Sequence, residues 1–347
     1  MRATGTSSKF FAAVVCATLS GCIAVPMPRN ATLKTGDGPL VQAHRGSRGE
    51  YDDNALGGFK MCLERGIRGF ETDIRFTKDK RLVIMHDNRV NRTTDGKGIV
   101  EEMTLTELRK CRLQACSEPV PTLEEVLSVM AGRDDVFVEL EMKAYPGGFY
   151  TPEVLYEYCR ALNAAAKKLM KPGTYAFTCF NTNTLATMRR ADLSAPIGYI
   201  VGTGLTEEHI ATAKSLGCCG IAPLLSKTTK EMVARAHEEG LTICLWMCQD
   251  AAAWREAREK GADRVTSDYP VLLTRAIEGR AKKVVAMDLD ATLAWAKDHG
   301  YTLDDDVFIG DDFADGGGDS HVRIKGMDHI VIANYKNFAN AVNVLLK

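Results

Sequence analysis

The sequence has no surplus of charge: 44 Lys and Arg stand against 45 Asp and Glu over 347 residues, a formal net charge of −1. There is also no basic stripe interleaved with aromatics. The electrostatic footprint that nucleic acid demands is therefore missing, which argues against nucleic acid as a partner. The eleven cysteines include no CxxC with a second metal-like pair, and this disfavours zinc. The glycine-rich phosphate loop that usually marks a doubly wound open sheet is absent too. The apolar run near the start, "FFAAVVCATLSG", is too short to cross a bilayer as a mature helix.

That run follows Arg2 and Lys9, the arrangement of an export signal. Its end, "LSGC" (Leu19 to Cys22), resembles the lipobox of bacterial lipoproteins. The resemblance implies a leader with its lipobox over residues 1–22, cleaved ahead of Cys22, which is lipidated and becomes the new N-terminus. The protein would then sit in the bacterial cell envelope, held to a membrane by its lipid. An ordinary secretory signal is the alternative; the small pair Ser20-Gly21 before the cysteine favours the lipoprotein. Residues 23–39 are polar, contain Pro and Gly, lack periodicity and read as a tether, with a reach on the order of 50 Å when extended. Nine cysteines remain after Cys16 and Cys22, an odd number that cannot all pair. Cys179, Cys244 and Cys248 fall in or beside strands as small apolar residues. Cys111 and Cys116 flank a loop and could bridge.

What is present is a regular alternation. "PLVQAH", "GFETDIRF", "VFVELEMK", "YAFTCF", "PIGYIVG", "CGIAPL", "TICLWM" and "DRVTSD" read as strands, separated mostly by amphipathic helices such as "LYEYCRALNAAAKKLM". Eight parallel strands over residues 40–280 predict an α/β fold of the (β/α)8 TIM-barrel type. A ninth strand, "RLVIMHD", follows the second after only "TKDK". That link is too short for a helical crossover, so it must fold back as a short β-hairpin extension.

In such barrels the chemistry sits at the C-terminal ends of the strands. Here His44-Arg45 ends the first strand, Glu71 and Asp73 the second, His86 the hairpin, Glu141 and Lys143 the third, Trp246 the seventh and Asp268 the eighth. Side chains alternate along a strand, so Glu71 and Asp73 share one face, and Glu141 and Lys143 repeat the spacing. Three converging carboxylates would repel one another and resist burial unless a positive charge sat among them. One divalent cation with oxygen ligands, Mg²⁺ or Ca²⁺, is the simplest occupant. A structural ion-pair cluster with Arg45, Arg75 and Lys143 is the alternative, and His44 and His86 weigh against it. His209, His237 and His299 lie in predicted helices without paired ligands and read as surface or core residues.

In this order the motifs resemble those of the glycerophosphodiester phosphodiesterase family, from about Val41 to Pro270. The matching stretches are His44-Arg45-Gly46, Asn54, Glu71-Thr72-Asp73, "TKDK", His86-Asp87, "RTTDGKG", "PTLEEVL", Glu141-Met142-Lys143, Phe180, Trp246 and "TSDYP". The departures are Asp53-Asn54-Ala55 for Glu-Asn-Thr, Cys179 for a Ser, and "MCQ" after Trp246 for Thr-Val-Asn. They touch the pocket's hydrogen-bonding groups and put the preferred head group in doubt. The resemblance implies a metal held by Glu71, Asp73 and Glu141, with acid and base roles divided between His44 and His86. Arg45 and Lys143 would bind phosphate, and Trp246 would pack against glycerol or wall the pocket. It implies hydrolysis of a small-molecule glycerophosphodiester to sn-glycerol 3-phosphate and an alcohol. Action on lysophospholipids or glycerol-phosphate polymers, or binding without catalysis, are the alternatives.

Residues 281–347 exceed what that pattern needs and read as a small α/β C-terminal appendage for packing or partner binding. "DLDATL" (Asp288, Asp290) and "IGDDFAD" resemble acidic motifs of haloacid-dehalogenase-type phosphatases. The segment is far shorter than that fold, has no lysine motif, and places Ala291 where a Gly is usual. The sequence does not indicate an oligomeric state.

Overall fold

The computed structural model describes residues 28–278, 307–312 and 319–324. The eight expected strands form β2 (Gly38–Ala43), β3 (Gly69–Phe76), β5 (Phe137–Met142), β6 (Tyr175–Cys179), β7 (Ile197–Ile200), β8 (Gly220–Ala222), β9 (Thr242–Leu245) and β10 (Arg264–Ser267). They pair in parallel in chain order. β2 bonds to both β3 and β10, which closes the barrel. The crossover helices are α1 (Leu56–Glu64), α3 (Leu123–Met130), α4 (Pro152–Leu169), α5 (Thr182–Ala191), α6 (Glu207–Leu216), α7 (Lys230–Glu238) and α8 (Ala251–Lys260), with α9 (Pro270–Ile277) after the last strand.

Thr122, Thr151, Asn181, Thr206, Thr229 and Asp250 cap α3 to α8, each accepting a bond from a backbone N–H of the first turn. One core cluster joins the outward strand residues to the helices: Phe70, Ile74, Val138, Leu140 and Phe177 meet Phe59, Leu127, Leu162 and Leu185. The barrel interior, which such folds usually fill with branched aliphatics, is polar here. Arg264 bonds Glu139 (3.0 Å), and Cys244 Sγ lies 2.9 Å from Gln42 Oε1.

Between β3 and α3 the chain leaves the barrel. β4 (Leu82–Ile84) pairs antiparallel with β3, as the short "TKDK" link requires, and α2 (Leu105–Leu108) follows. Val83, Met85, Val90, Val100, Leu108, Cys111 and Val120 give this extension its own apolar cluster. Its packing holds His86 and its neighbours over the barrel mouth.

Part of the stretch read as a tether is instead built into the fold. A 3-10 turn (Arg29–Thr32) and β1 (Lys34–Thr35), antiparallel to β2, lie against the N-terminal end of the barrel. Asn30 Nδ2 donates to the carbonyls of Asp134 (2.6 Å) and Val136 (2.8 Å), and Arg264 donates to the Ala31 carbonyl. Polar composition made these residues look unstructured. They are ordered because the barrel floor offers them otherwise unpaired carbonyls. All nine cysteines of the described residues are free, Cys111 and Cys116 included. Beyond α9, β11 (Val307–Asp312) and β12 (Asp319–Ile324) form an antiparallel pair. The remainder of the appendage, with Asp288 and Asp290, lies outside the described residues, as do the leader and Cys22.

Candidate active site

The site grows from two strand ends and one unusual loop. Along β3, Glu71 and Asp73 point inward while Phe70, Thr72 and Ile74 point outward. β5 pairs with β3 in a register that sets Glu141 opposite Asp73. One oxygen each from Glu71, Asp73 and Glu141 lies within 4.8 Å of the others, and all three residues are buried. Among the described residues, none donates a hydrogen bond to Glu71 Oε1, Asp73 Oδ1 or Glu141 Oε1. Lys143 Nζ stands 2.6 Å from Glu141 Oε1 and 3.3 Å from Asp73 Oδ1, near enough to neutralise charge but without a hydrogen bond's alignment.

The loop after β2 carries Arg45, Gly46 and Ser47, all at positive φ. For Arg45 and Ser47 this conformation costs about 1–2 kcal/mol each. Hydrogen bonds offset it: the Arg45 N–H donates to Glu71 Oε2 (2.9 Å) and the Asn54 N–H to the Arg45 carbonyl (2.8 Å). Asn54 then donates through Nδ2 to Asp73 Oδ2 (2.8 Å) and accepts from Thr72 Oγ1 (3.0 Å). The strain thus turns one backbone N–H and one amide toward the acidic cluster.

Both histidines are oriented by carboxylates. His44 Nδ1 lies 2.5 Å from Asp268 Oδ1, and Gln249 Nε2 donates to Asp268 Oδ2 (2.7 Å). His44 Nε2 faces Glu71 at 3.9 Å. His86 Nδ1 lies 2.7 Å from Asp87 Oδ1, Asp87 accepts from Arg92 Nε (2.5 Å), and Arg92 also reaches Asp53 (2.9 Å). Arg75 donates twice to the His86 carbonyl (3.0 and 2.7 Å), tying the extension to β3.

The electrostatics separate the three carboxylates. Burial, then the charges of Asp73 and Glu141, push the Glu71 carboxyl well above its ordinary range. Burial opposes charge on Asp73 as well, but Lys143, His86 and Arg45 overcome it and hold that carboxyl well below the usual range. Lys143 is likewise held in its charged form by Glu141 and Asp73 against desolvation. His44 is pushed down by burial and by Arg45 despite Asp268.

One expected residue is placed differently from its sequence reading. Arg45 does not offer an open fork to a ligand. It is 2% exposed, with Nη1 3.3 Å from Asp53 and Nε 3.5 Å from Asp73, because those carboxylates claim the guanidinium first. Trp246 stands at the rim, where Nε1 donates to the Ala222 carbonyl (2.8 Å) and the ring meets Phe180 edge-on at 6.0 Å. Lys143 Nζ lies 5.9 Å from the Phe180 ring, so an aromatic wall of Phe180 and Trp246 adjoins the charged cluster. The sequence reading did not assign Asp87, Arg92, Gln249 or Asn54 a place in the site. Asn54, Asp87 and Arg92 stand in the matching motifs, and Gln249 in a departure from one, which is the available signal.

Residues 44–272 match the model of the Glycerophosphoryl diester phosphodiesterase family. The chain belongs to that family of enzymes. A glycerophosphodiester phosphodiesterase of Caldanaerobacter subterraneus subsp. tengcongensis is 28% identical over 249 residues, 69% of this chain and 97% of that protein. An Oleispira antarctica phosphodiesterase, solved in complex with the product sn-glycerol-3-phosphate, is 26% identical with a TM-score of 0.63, covering 70% of this chain and 97% of that one. A glycerophosphodiester phosphodiesterase structure from Parabacteroides distasonis shares the fold at 23% identity and a TM-score of 0.58, over 71% of this chain and 99% of that one. The family match begins at His44 and ends in α9, so it spans every site residue described above.

Proposed function

We propose that this phosphodiesterase hydrolyses glycerophosphodiesters to sn-glycerol 3-phosphate and an alcohol, with Glu71, Asp73 and Glu141 holding one divalent cation, Mg²⁺ or Ca²⁺. The observation that carries the reading is the convergence of three buried carboxylates, each with an orphaned oxygen, beside two carboxylate-oriented imidazoles. An all-oxygen anionic donor set suits a hard cation. Bound there, the cation would supply Lewis-acid neutralisation of the phosphodiester's charge.

The remaining work falls to the chain. Because Asp268 and Asp87 occupy the two Nδ1 atoms, Nε2 becomes the proton-handling atom of each ring. One imidazole accepts the proton of an attacking hydroxyl, the glycerol 2-hydroxyl of the substrate. The other gives a proton to the departing alcohol as its P–O bond breaks. Water then opens the cyclic phosphodiester with the two roles exchanged. Lys143 adds a fixed positive charge, and the aromatic wall packs against the carbon face of glycerol. Exposed Phe180 and Tyr145, each 38% accessible, support a second reading in which lysophospholipids are accepted.

Export and lipid anchoring through Cys22 are part of the proposal, supported by the leader and the "LSGC" stretch. Residues 281–347 are taken as a packing or partner-binding module. The test is a panel of glycerophosphodiesters turned over by wild type, His44→Ala and His86→Ala. Either substitution lowers kcat by at least about 100-fold while cation binding persists. Undiminished turnover by both variants overturns the assignment.

A further inference from the structure

Beside the acidic cluster opens a cleft of about 410 Å³, of the size that encloses small ligands. His86 and Lys143 stand where it meets the site, and the extension after β3 supplies most of its wall. Its cations are Arg75, Arg89, Arg92 and Lys143. Three of them are committed: Arg75 to Glu101, Arg92 to Asp87 and Asp53, and Lys143 to Glu141 and Asp73. Arg89 is different. It is exposed, and among the described residues its guanidinium makes no ion pair or hydrogen bond. Asn88 and Asn91, exposed on either side of it, add amide donors and acceptors that no group among the described residues takes up. Among the described residues Asp87 is the one carboxylate in the wall, and His86 and Arg92 already hold it.

Phe180 and Trp246 do not line this cleft, and among the described residues its only aromatic is Tyr145. Quaternary ammonium groups are recognised by faces of several rings, whereas a cationic surface repels them. Polyhydroxyl groups and anions are what amides and a free guanidinium bind.

Resting on the hydrolase reading above, we infer that this cleft receives the alcohol half of the diester and selects a polyol carrying an additional negative charge over choline or ethanolamine. Arg89 is the specificity-determining residue, with Asn88 and Asn91 binding the hydroxyls. Deacylated lipids whose head group is a phosphorylated polyol are therefore the preferred class. The same diester with an unphosphorylated polyol stands between them and the choline diester.

The experiment measures kcat/KM for glycerophosphoglycerol phosphate, glycerophosphoglycerol and glycerophosphocholine with wild type, Arg89→Gln and Arg89→Lys. Wild type follows that order of preference. Arg89→Gln lowers the ratio between the first and last substrates about fivefold, the weight of one exposed charge pair. Arg89→Lys retains most of the ratio, and added KCl shrinks it in wild type because an exposed charge is screened. Diester cleavage that favours the choline compound, or a ratio indifferent to Arg89→Gln, overturns the inference and leaves the hydrolase reading standing. Failure to cleave any of the three with either cation removes the hydrolase reading, and this inference with it.

Discussion

The residue whose protonation most clearly links fold to pH is Glu50, which sits behind the His44 loop. Its carboxylate accepts from Ser47 Oγ (2.7 Å) and from the N–H groups of Val271 (3.1 Å) and Leu272 (2.7 Å) at the start of α9. Burial outweighs these donors and raises its pKa to about 7 from 4.5. The native state therefore keeps a proton that the unfolded chain releases earlier. The resulting stabilisation is fully present below about pH 4.5 and is lost as pH rises to about 7. Its size is at most about 3 kcal/mol. Denaturant unfolding at about pH 5 and about pH 7.5 should show this fall in wild type and a shallower one in Glu50→Gln; equal slopes would assign the pH dependence elsewhere. Glu71 carries a second consequence. Its carboxyl is raised by burial and by its two acidic neighbours, so binding of a cation displaces a proton and tightens as pH rises. Titration calorimetry in buffers of differing ionisation enthalpy detects that release, and a buffer-independent heat would contradict it.

At the scale of elements, the sequence was legible wherever chemistry follows local spacing. The i, i+2 pairs on β3 and β5 placed Glu71, Asp73 and Glu141 on one face because strand geometry leaves no alternative once the barrel closes. The short "TKDK" link dictated the β4 hairpin for the same kind of reason. What spacing does not encode is contact between distant strand ends. The His44–Asp268 pair spans 224 residues, and Gln249 joins it from the loop after β9. Arg45 read as a phosphate fork because composition cannot say that Asp53 and Asp73 would lie nearer. The turn at Arg29–Thr32 escaped notice because a polar segment declares no partner, and its partners are carbonyls of the barrel floor. Asn30→Ala removes two side-chain bonds to carbonyls there, the one to Val136 buried and the one to Asp134 partly so. It should lower unfolding free energy by about 1–3 kcal/mol while leaving kcat unchanged, since the floor lies at the opposite end from the site.

At the scale of the whole molecule, labour is divided between a polar-lined barrel and an extension that reaches over its mouth. Three acidic oxygens without donors are tolerable inside the one and useful only if a cation meets them. The histidine on the other rests on a separate apolar cluster, and the bonds from Arg75 to the His86 carbonyl and from Arg92 to Asp53 join the two halves of the site. The most direct measurement is diester hydrolysis by chelator-treated protein before and after Mg²⁺ or Ca²⁺ is restored, in wild type and in Glu71→Gln, Asp73→Asn and Glu141→Gln. The account predicts loss of turnover on chelation, recovery on restoring the cation in wild type, and at least about 100-fold lower recovered turnover in each variant. Undiminished turnover by the chelated protein, or recovery in the variants equal to wild type, would contradict it.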